Sequence, residues 1–576
     1  MYTRRQALHL AILLGAFALV TARFWFVCDD AFITYRYAKN LALGNGLVFN
    51  PGEFPPVEGY SDFLWLLAAF VLEAVGLRPD RILPVVSAVC GAILVVRVHR
   101  AVRQLGVGST AALWGTLSLA VAPAIGCWAT SGLETMPQAL LTFLLFERVT
   151  LRQPTGSTVI EAPGEPSIVG TVAIAVALSL IRTEGIAWVG VTCAVSVLAR
   201  WIERVPLGPH LRWLAQVLVP VGIVFGVYTG WRFQYYGTLV PNTALVKVGF
   251  GFPLLVRGLE YVMLFFLTCL VPLVSLAPIG WVVRTERHGA WAAVSMLALV
   301  FPLYGFAVGG DFMPFGRLLV PGLPFGAMIL AGGLQELIRR SRGSETRATR
   351  VGAALVFVAL LPAFDLHLVP FALRKPLHFR LSDKDYLSEL NRWANQKENT
   401  DGFTKRGLAL AQVADEGDSV VAAAVGAVGY WSGITVFDQH GLVTKEIAYH
   451  ELAPGPLTQS PGHDKHVDPE YFAKYAPRFL FARAVEGKLA AGRMKDTLDQ
   501  WEVKEFVMDR YVPDYYEVTI PGSDLRTFLF VIRHRTSDED PAKLWNAFPG
   551  RRRALNAELR AEYADEPDEE ATGTSG

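Results

Sequence analysis

Apolar stretches about as long as a membrane crossing recur along the first two-thirds of this chain, and they decide which solvent it can fold in. Bilayer hydrocarbon is about 30 Å thick, so a spanning helix takes about 20 mostly apolar residues. Eleven candidates can be drawn, near residues 8–27, 82–100, 109–124, 133–148, 167–182, 186–202, 212–230, 257–283, 290–308, 317–337 and 351–369. With 52% hydrophobic and 18% charged residues and a mean hydropathy of +0.34, the 576-residue chain reads as a polytopic α-helical membrane protein. The fourteen apolar residues Phe63 to Gly76 are short for a span and read as a helix lying in the interface.

Basic residues supply the expected orientation. With Arg4 and Arg5 cytoplasmic and Phe63–Gly76 not crossing, the clusters Arg97/Arg100/Arg103, Arg148/Arg152, Arg200/Arg204/Arg212, Arg284/Arg287 and Arg339/Arg340/Arg342/Arg347/Arg350 all fall inside. Arg78 and Arg81 are the exceptions. The first apolar run resumes at Phe24–Val27, which favours an uncleaved anchor over a secretory signal. Eleven crossings then leave the remainder outside. The expected division is a transmembrane domain over 1–369, an extracytoplasmic α/β domain over 370–536, and a charged, disordered tail over 537–576. In the α/β part, Ser419–Val425, Thr435–Asp438, Arg478–Phe481 and Thr527–Ile532 read as strands, and Gly426–Gly433 as a glycine-rich turn. All five cysteines (Cys28, Cys90, Cys127, Cys193, Cys269) lie in or beside spans, so no disulfide framework is expected. A net charge of +1, with basic residues accounted for by topology, gives no reason to expect nucleic acid as a partner.

Polar motifs gather at the other ends of the spans. Asp29-Asp30 follows the first one, and two acids at the hydrocarbon edge are costly unless paired, solvated or used. They can serve glycosyl transfer as base or nucleophile, or cap a helix. Arg36 lies seven residues after Asp29, close to two helical turns. Arg182, Arg232, Lys247 and Arg317 also stand at span ends, where arginine can hold a phosphate bidentately or snorkel to headgroups. Glu58, Glu134 and Glu184, each in a Gly-containing turn, are candidates for sugar hydroxyls or for caps. His463-Asp464-Lys465-His466 with Asp468 does not have a zinc spacing and reads as a polar loop. No third metal ligand accompanies Asp29 and Asp30 at a fixed spacing, so neither metal nor cofactor is expected.

Taken together, Asp29-Asp30-Ala-Phe-Ile-Thr-Tyr-Arg36, Gly46-Leu-Val-Phe-Asn50-Pro-Gly-Glu53, Glu58-Gly-Tyr60, Ser131-Gly-Leu-Glu134, Tyr235-Tyr-Gly, Pro241-Asn-Thr, Gly310-Asp311-Phe-Met-Pro and Arg317 resemble the GT-C membrane glycosyltransferases related to terminal β-(1→2) arabinofuranosyltransferases. That group also includes proteins named for flagellar motor control. The resemblance continues through Gly426-Ala-Val-Gly-Tyr430 and Asp438-Gln-His-Gly441-Leu. It implies a GT-C-like fold, a polyprenyl-phosphate-linked sugar donor, a glycan acceptor in the cell envelope, and work on the extracytoplasmic face of the plasma membrane. Carried onto this chain, it makes Asp29 or Asp30 the catalytic carboxylate and Arg36, Arg182, Arg232, Lys247 and Arg317 the donor-phosphate ligands. Tyr35, Glu58, Tyr60, Glu134, Glu184, Tyr236, Asn242 and Asp311 become the candidates for sugar or acceptor. A transporter would instead carry charges or broken helices near mid-membrane and inverted repeats, neither clear here. A non-enzymatic assembly factor on the same fold is the other alternative.

Overall fold

The computed structural model describes residues 4–151, 166–243, 251–269, 287–341, 343–377, 387–449, 463–486 and 505–547. The chain forms two compact units, Met1–Thr400 with His440–Lys465, and Asp401–Gln439 with His466–Gly576.

The first unit is helical. Its first ten helices are α1 (Arg4–Arg23), α2 (Asp29–Ala42), α3 (Phe63–Ala74), α4 (Pro79–Gln104), α5 (Ser109–Ala120), α6 (Pro123–Thr130), α7 (Thr135–Phe146), α8 (Ile168–Ile181), α9 (Gly185–Ile202) and α10 (Leu207–Tyr236). They are followed by α11 (Phe252–Thr268), α12 (His288–Ala307), α13 (Leu323–Arg340) and α14 (Glu345–Leu360). Among the described residues, seven helices are long and apolar enough to cross a membrane, and an eighth crossing results if α5 and α6, bent by 53°, count as one. This is a multi-pass membrane protein. Three other expected stretches carry shorter helices: α7, which continues as a π turn to Leu151, α8, and α11, beyond which 270–286 lie outside the described residues. The interfacial stretch is the twelve-residue α3.

Local chemistry sets the ends. Ser167 caps α8 by accepting the Gly170 N–H, Ser344 caps α14 by accepting from Arg347, and α10 stops where Gly237 turns left-handed. Lipid is as apolar as leucine, so helices associate through close backbone approach. A Cβ at Gly258 would strike the Phe306 carbonyl of α12, and one at Gly115 would meet Ala331 of α13. The exceptional Arg78 is answered locally, pairing with Asp80 at 2.6 Å.

The second unit holds a five-stranded sheet of β1 (Ser419–Ala422), β2 (Thr435–Asp438), β3 (Phe479–Glu486), β4 (Tyr511–Val518) and β5 (Thr527–His534), in the order β2-β1-β3-β5-β4. β1 runs parallel to β2 and β3, while β5 is antiparallel to both β3 and β4. Two corrections apply here. Gly426–Ser432 is a helix and not a turn, because joining parallel β1 and β2 requires a crossover. Strand β4 escaped the sequence reading because Pro513, Asp514 and Glu517 interrupt its pattern. Pro541–Ala547 is helical and buries Trp545, whose indole donates to the Tyr511 carbonyl at 2.9 Å. The rest of the expected disordered tail, 548–576, lies outside the described residues.

Candidate active site

Helix α2 carries the Asp29-Asp30 pair in its first turn, where the amino-terminal partial positive charge favours anions. Successive helical residues point about 100° apart, whereas i, i+3 and i+4 share a face. Asp30 therefore projects with Ile33 and Thr34, and these three line a cavity of about 550 Å³. Asp29 is half-buried and is not among the lining residues.

The remaining walls come from the ends of the helices. Gly59–Asp62 enter from the loop before α3, Glu134 from the turn before α7, and Arg182–Glu184 from the turn between α8 and α9. Pro241 and Thr243 follow α10, Tyr304 ends α12, and Asp311, Phe312 and Arg317 come from the segment before α13. Basic residues occupy the opposite ends of the helices that start at this wall: Arg200 ends α9, and Arg339 and Arg340 end α13. Leu442 and His463 complete the wall. They are held there because Asn242 donates to the Gly441 and Leu442 carbonyls, while Arg257 grips Asp464 at 2.9 Å and the Gly309 carbonyl at 3.2 Å.

Five carboxylates and two guanidiniums line this space among the described residues: Asp30, Asp62, Glu134, Glu184 and Asp311 against Arg182 and Arg317. Arg182 donates to Glu134 and, at 2.6 Å, to Glu184, and Arg317 pairs with Asp311 at 2.7 Å. A guanidinium has five N–H donors, so these pairings leave donors on both cations that a phosphate can accept. Asp62 accepts the Thr34 hydroxyl at 2.9 Å. Burial, reinforced by the Glu134 charge, raises its pKa above the ordinary carboxylate range. No group of three His, Cys, Asp or Glu side chains among the described residues is arranged to hold a metal ion.

Comparison with known proteins bears on the fold. The crystal structures of ArnT from Cupriavidus metallidurans, one bound to undecaprenyl phosphate and one in the apo state, superpose with TM-scores of 0.50 and 0.51 at 13% identity, covering 91% of this chain and 97% of ArnT. The chain has a GT-C-like fold. Within that fold it is similar in sequence to the terminal β-(1→2)-arabinofuranosyltransferases of Corynebacterium glutamicum (30% identity over 372 residues, 57% of this chain and 51% of the relative) and Mycobacterium tuberculosis (29% over 384 residues, 64% and 55%). The chain thus spans about half the length of the curated relatives it matches. Residues 389–525 match a family model described as a domain of unknown function, DUF8728.

The GT-C-like frame separates the residues singled out in the sequence. Asp30, Tyr60, Glu134, Arg182, Glu184, Asp311 and Arg317 meet in the cavity. The other described ones do not line it. Arg36 is buried and donates to the Phe49 carbonyl at 3.0 Å, tying the 45–50 loop to α2. Arg232 forms a bidentate pair with Glu58 at 2.8 and 2.6 Å, both side chains buried. Tyr35 donates to the Gly132 carbonyl and Tyr236 to the Leu47 carbonyl. Asn242 braces the wall from behind, and Lys247 lies outside the described residues. Sequence reasoning passed over Thr34, Asp62 and Tyr304 and set His463 aside as part of a polar loop, yet all four line the cavity. The one available signal was Asp62, two residues beyond the Glu58-Gly59-Tyr60 motif.

Proposed function

We propose that this chain is a membrane glycosyltransferase that moves a sugar, arabinofuranose in our reading, from a polyprenyl-phosphate donor to an envelope glycan acceptor on the extracytoplasmic face. The observation that carries the proposal is the 550 Å³ cavity at the helix ends, where Asp30 shares the wall with Arg182 and Arg317. The names of the relatives supply the sugar, and the undecaprenyl phosphate bound to ArnT supports the donor class. The orientation rests on the basic clusters at the far ends of the helices, which the positive-inside rule assigns to the cytoplasm.

In this reaction the bond between the sugar C1 and the donor phosphate oxygen breaks, and polyprenyl phosphate departs carrying one more negative charge. Arg182 and Arg317 stabilise that charge. Asp30 faces the electron-poor C1, and the acceptor oxygen forms the new bond while losing its proton. Right-side-out membrane vesicles supplied externally with radiolabelled polyprenyl-phosphate arabinofuranose and an arabinan acceptor are expected to label the acceptor, and inverted vesicles are not. Absence of transfer across a panel of polyprenyl-phosphate sugars, with folded protein verified, would overturn the reading.

A further inference from the structure

The acceptor proton needs a destination, and Asp30, reserved for C1, leaves that role open. Asp62, from the loop before α3, is a second carboxylate held against the same face of α2. Thr34 follows Asp30 by four residues, one helical turn, and its hydroxyl reaches both Asp62 oxygens at 2.9 and 3.0 Å. The backbone around Asp62 is fixed from two further sides. Its own carbonyl accepts the Leu66 N–H at the start of α3, and the neighbouring Ser61 carbonyl accepts the Thr183 N–H at 2.9 Å, which seats the loop beside Arg182. Asp62 is 3% exposed yet lines the cavity, and its carboxylate is held by the neutral Thr34 hydroxyl and its own backbone N–H, whereas Glu134, Glu184 and Asp311 are paired with arginines.

We propose that Asp62 is the general base that takes the proton from the acceptor hydroxyl as its oxygen bonds to C1. The inference rests on the glycosyltransferase reading above. The proton moves from the acceptor oxygen to the Asp62 carboxylate, the freed electron pair forms the O–C1 bond, and the C1–O pair leaves with the phosphate. A base works best when its pKa lies near the operating pH, and burial with a neighbouring acid moves Asp62 in that direction. The charges acting on it are Glu134 before α7 and Arg182 between α8 and α9; Tyr228 from α10 interacts with it, and Asp30 from α2, Tyr60 from its own loop and Glu184 share the cavity wall with it. Of these, Arg182 counteracts the rise that Glu134 imposes.

The test is the pH profile of kcat for wild type, Asp62→Asn and Thr34→Val at saturating donor, with thermal stabilisation by polyprenyl phosphate measured in parallel. A base must be deprotonated to act, so wild-type kcat falls as pH drops through the raised Asp62 pKa. Asp62→Asn is expected to lose about 10²–10⁴-fold in kcat. It should also lose the acid limb, keep its stabilisation by polyprenyl phosphate, and recover partly with added formate. Thr34→Val removes a hydrogen bond to the ionised carboxylate and moves the acid limb to higher pH. If Asp62→Asn does not fold, the limb shift in Thr34→Val still decides. Wild-type transfer with Asp62→Asn within about threefold in kcat, or with either variant keeping the wild-type acid limb, overturns this inference alone. A wild type that transfers nothing overturns the underlying reading.

Discussion

At the scale of single residues, the charges divide into those that face the cavity and those that hold it together. Glu58 and Arg232 belong to the second group, buried against each other at 2.6 and 2.8 Å. Removing one partner strands a buried charge, so Glu58→Gln should cost about 3–5 kcal/mol, whereas combining Glu58→Gln with Arg232→Met should recover much of it. Thermal melts in detergent measure both, and equal melting for Glu58→Gln and wild type would refute the assignment. The sequence could not make this division. Arg232 looked like a phosphate ligand because its counter-charge lies 174 residues away. Nor could adjacency alone separate Asp29 from Asp30, since the choice depends on the helical phase of α2. Asp62, by contrast, stood next to a motif already noticed and went unread because an isolated aspartate carries no pattern.

At the scale of elements, the spans were legible because hydrocarbon thickness imposes a length, and each expected stretch overlaps a helix. Helix α2 was harder to read. It is fourteen residues of mixed polarity whose buried face includes Arg36 and Asn40, both of which bond to the 45–50 loop. Packing between elements also escapes a hydropathy reading. Gly258 of α11 looks like any glycine in a span, yet it admits the Phe306 carbonyl of α12, while Gly190 of α9 has open space where a Cβ would go. Gly258→Val should therefore destabilise by about 1–3 kcal/mol or more through overpacking, and Gly190→Val should be near neutral. Comparable melting temperatures for the two variants would contradict the packing described here.

At the scale of the whole molecule, loops far apart in sequence bring their polar motifs to one end of the helical unit, with arginines at the other ends of the same helices. That segregation was readable from the order of motifs and basic clusters alone. Four of the five strands of the second unit's sheet were readable as apolar runs, and the antiparallel edge strand β4, with its interrupted pattern, was not. If sugar is transferred at the face of α2 turned to the cavity, the two adjacent aspartates must differ in effect. The decisive measurement compares transfer by Asp30→Asn and Asp29→Asn with wild type, at equal amounts of folded protein, in vesicles given labelled polyprenyl-phosphate arabinofuranose and arabinan. Asp30→Asn is expected to lose at least about 10³-fold and Asp29→Asn less than about tenfold. Transfer preserved in Asp30→Asn, or lost only in Asp29→Asn, would contradict transfer at that face.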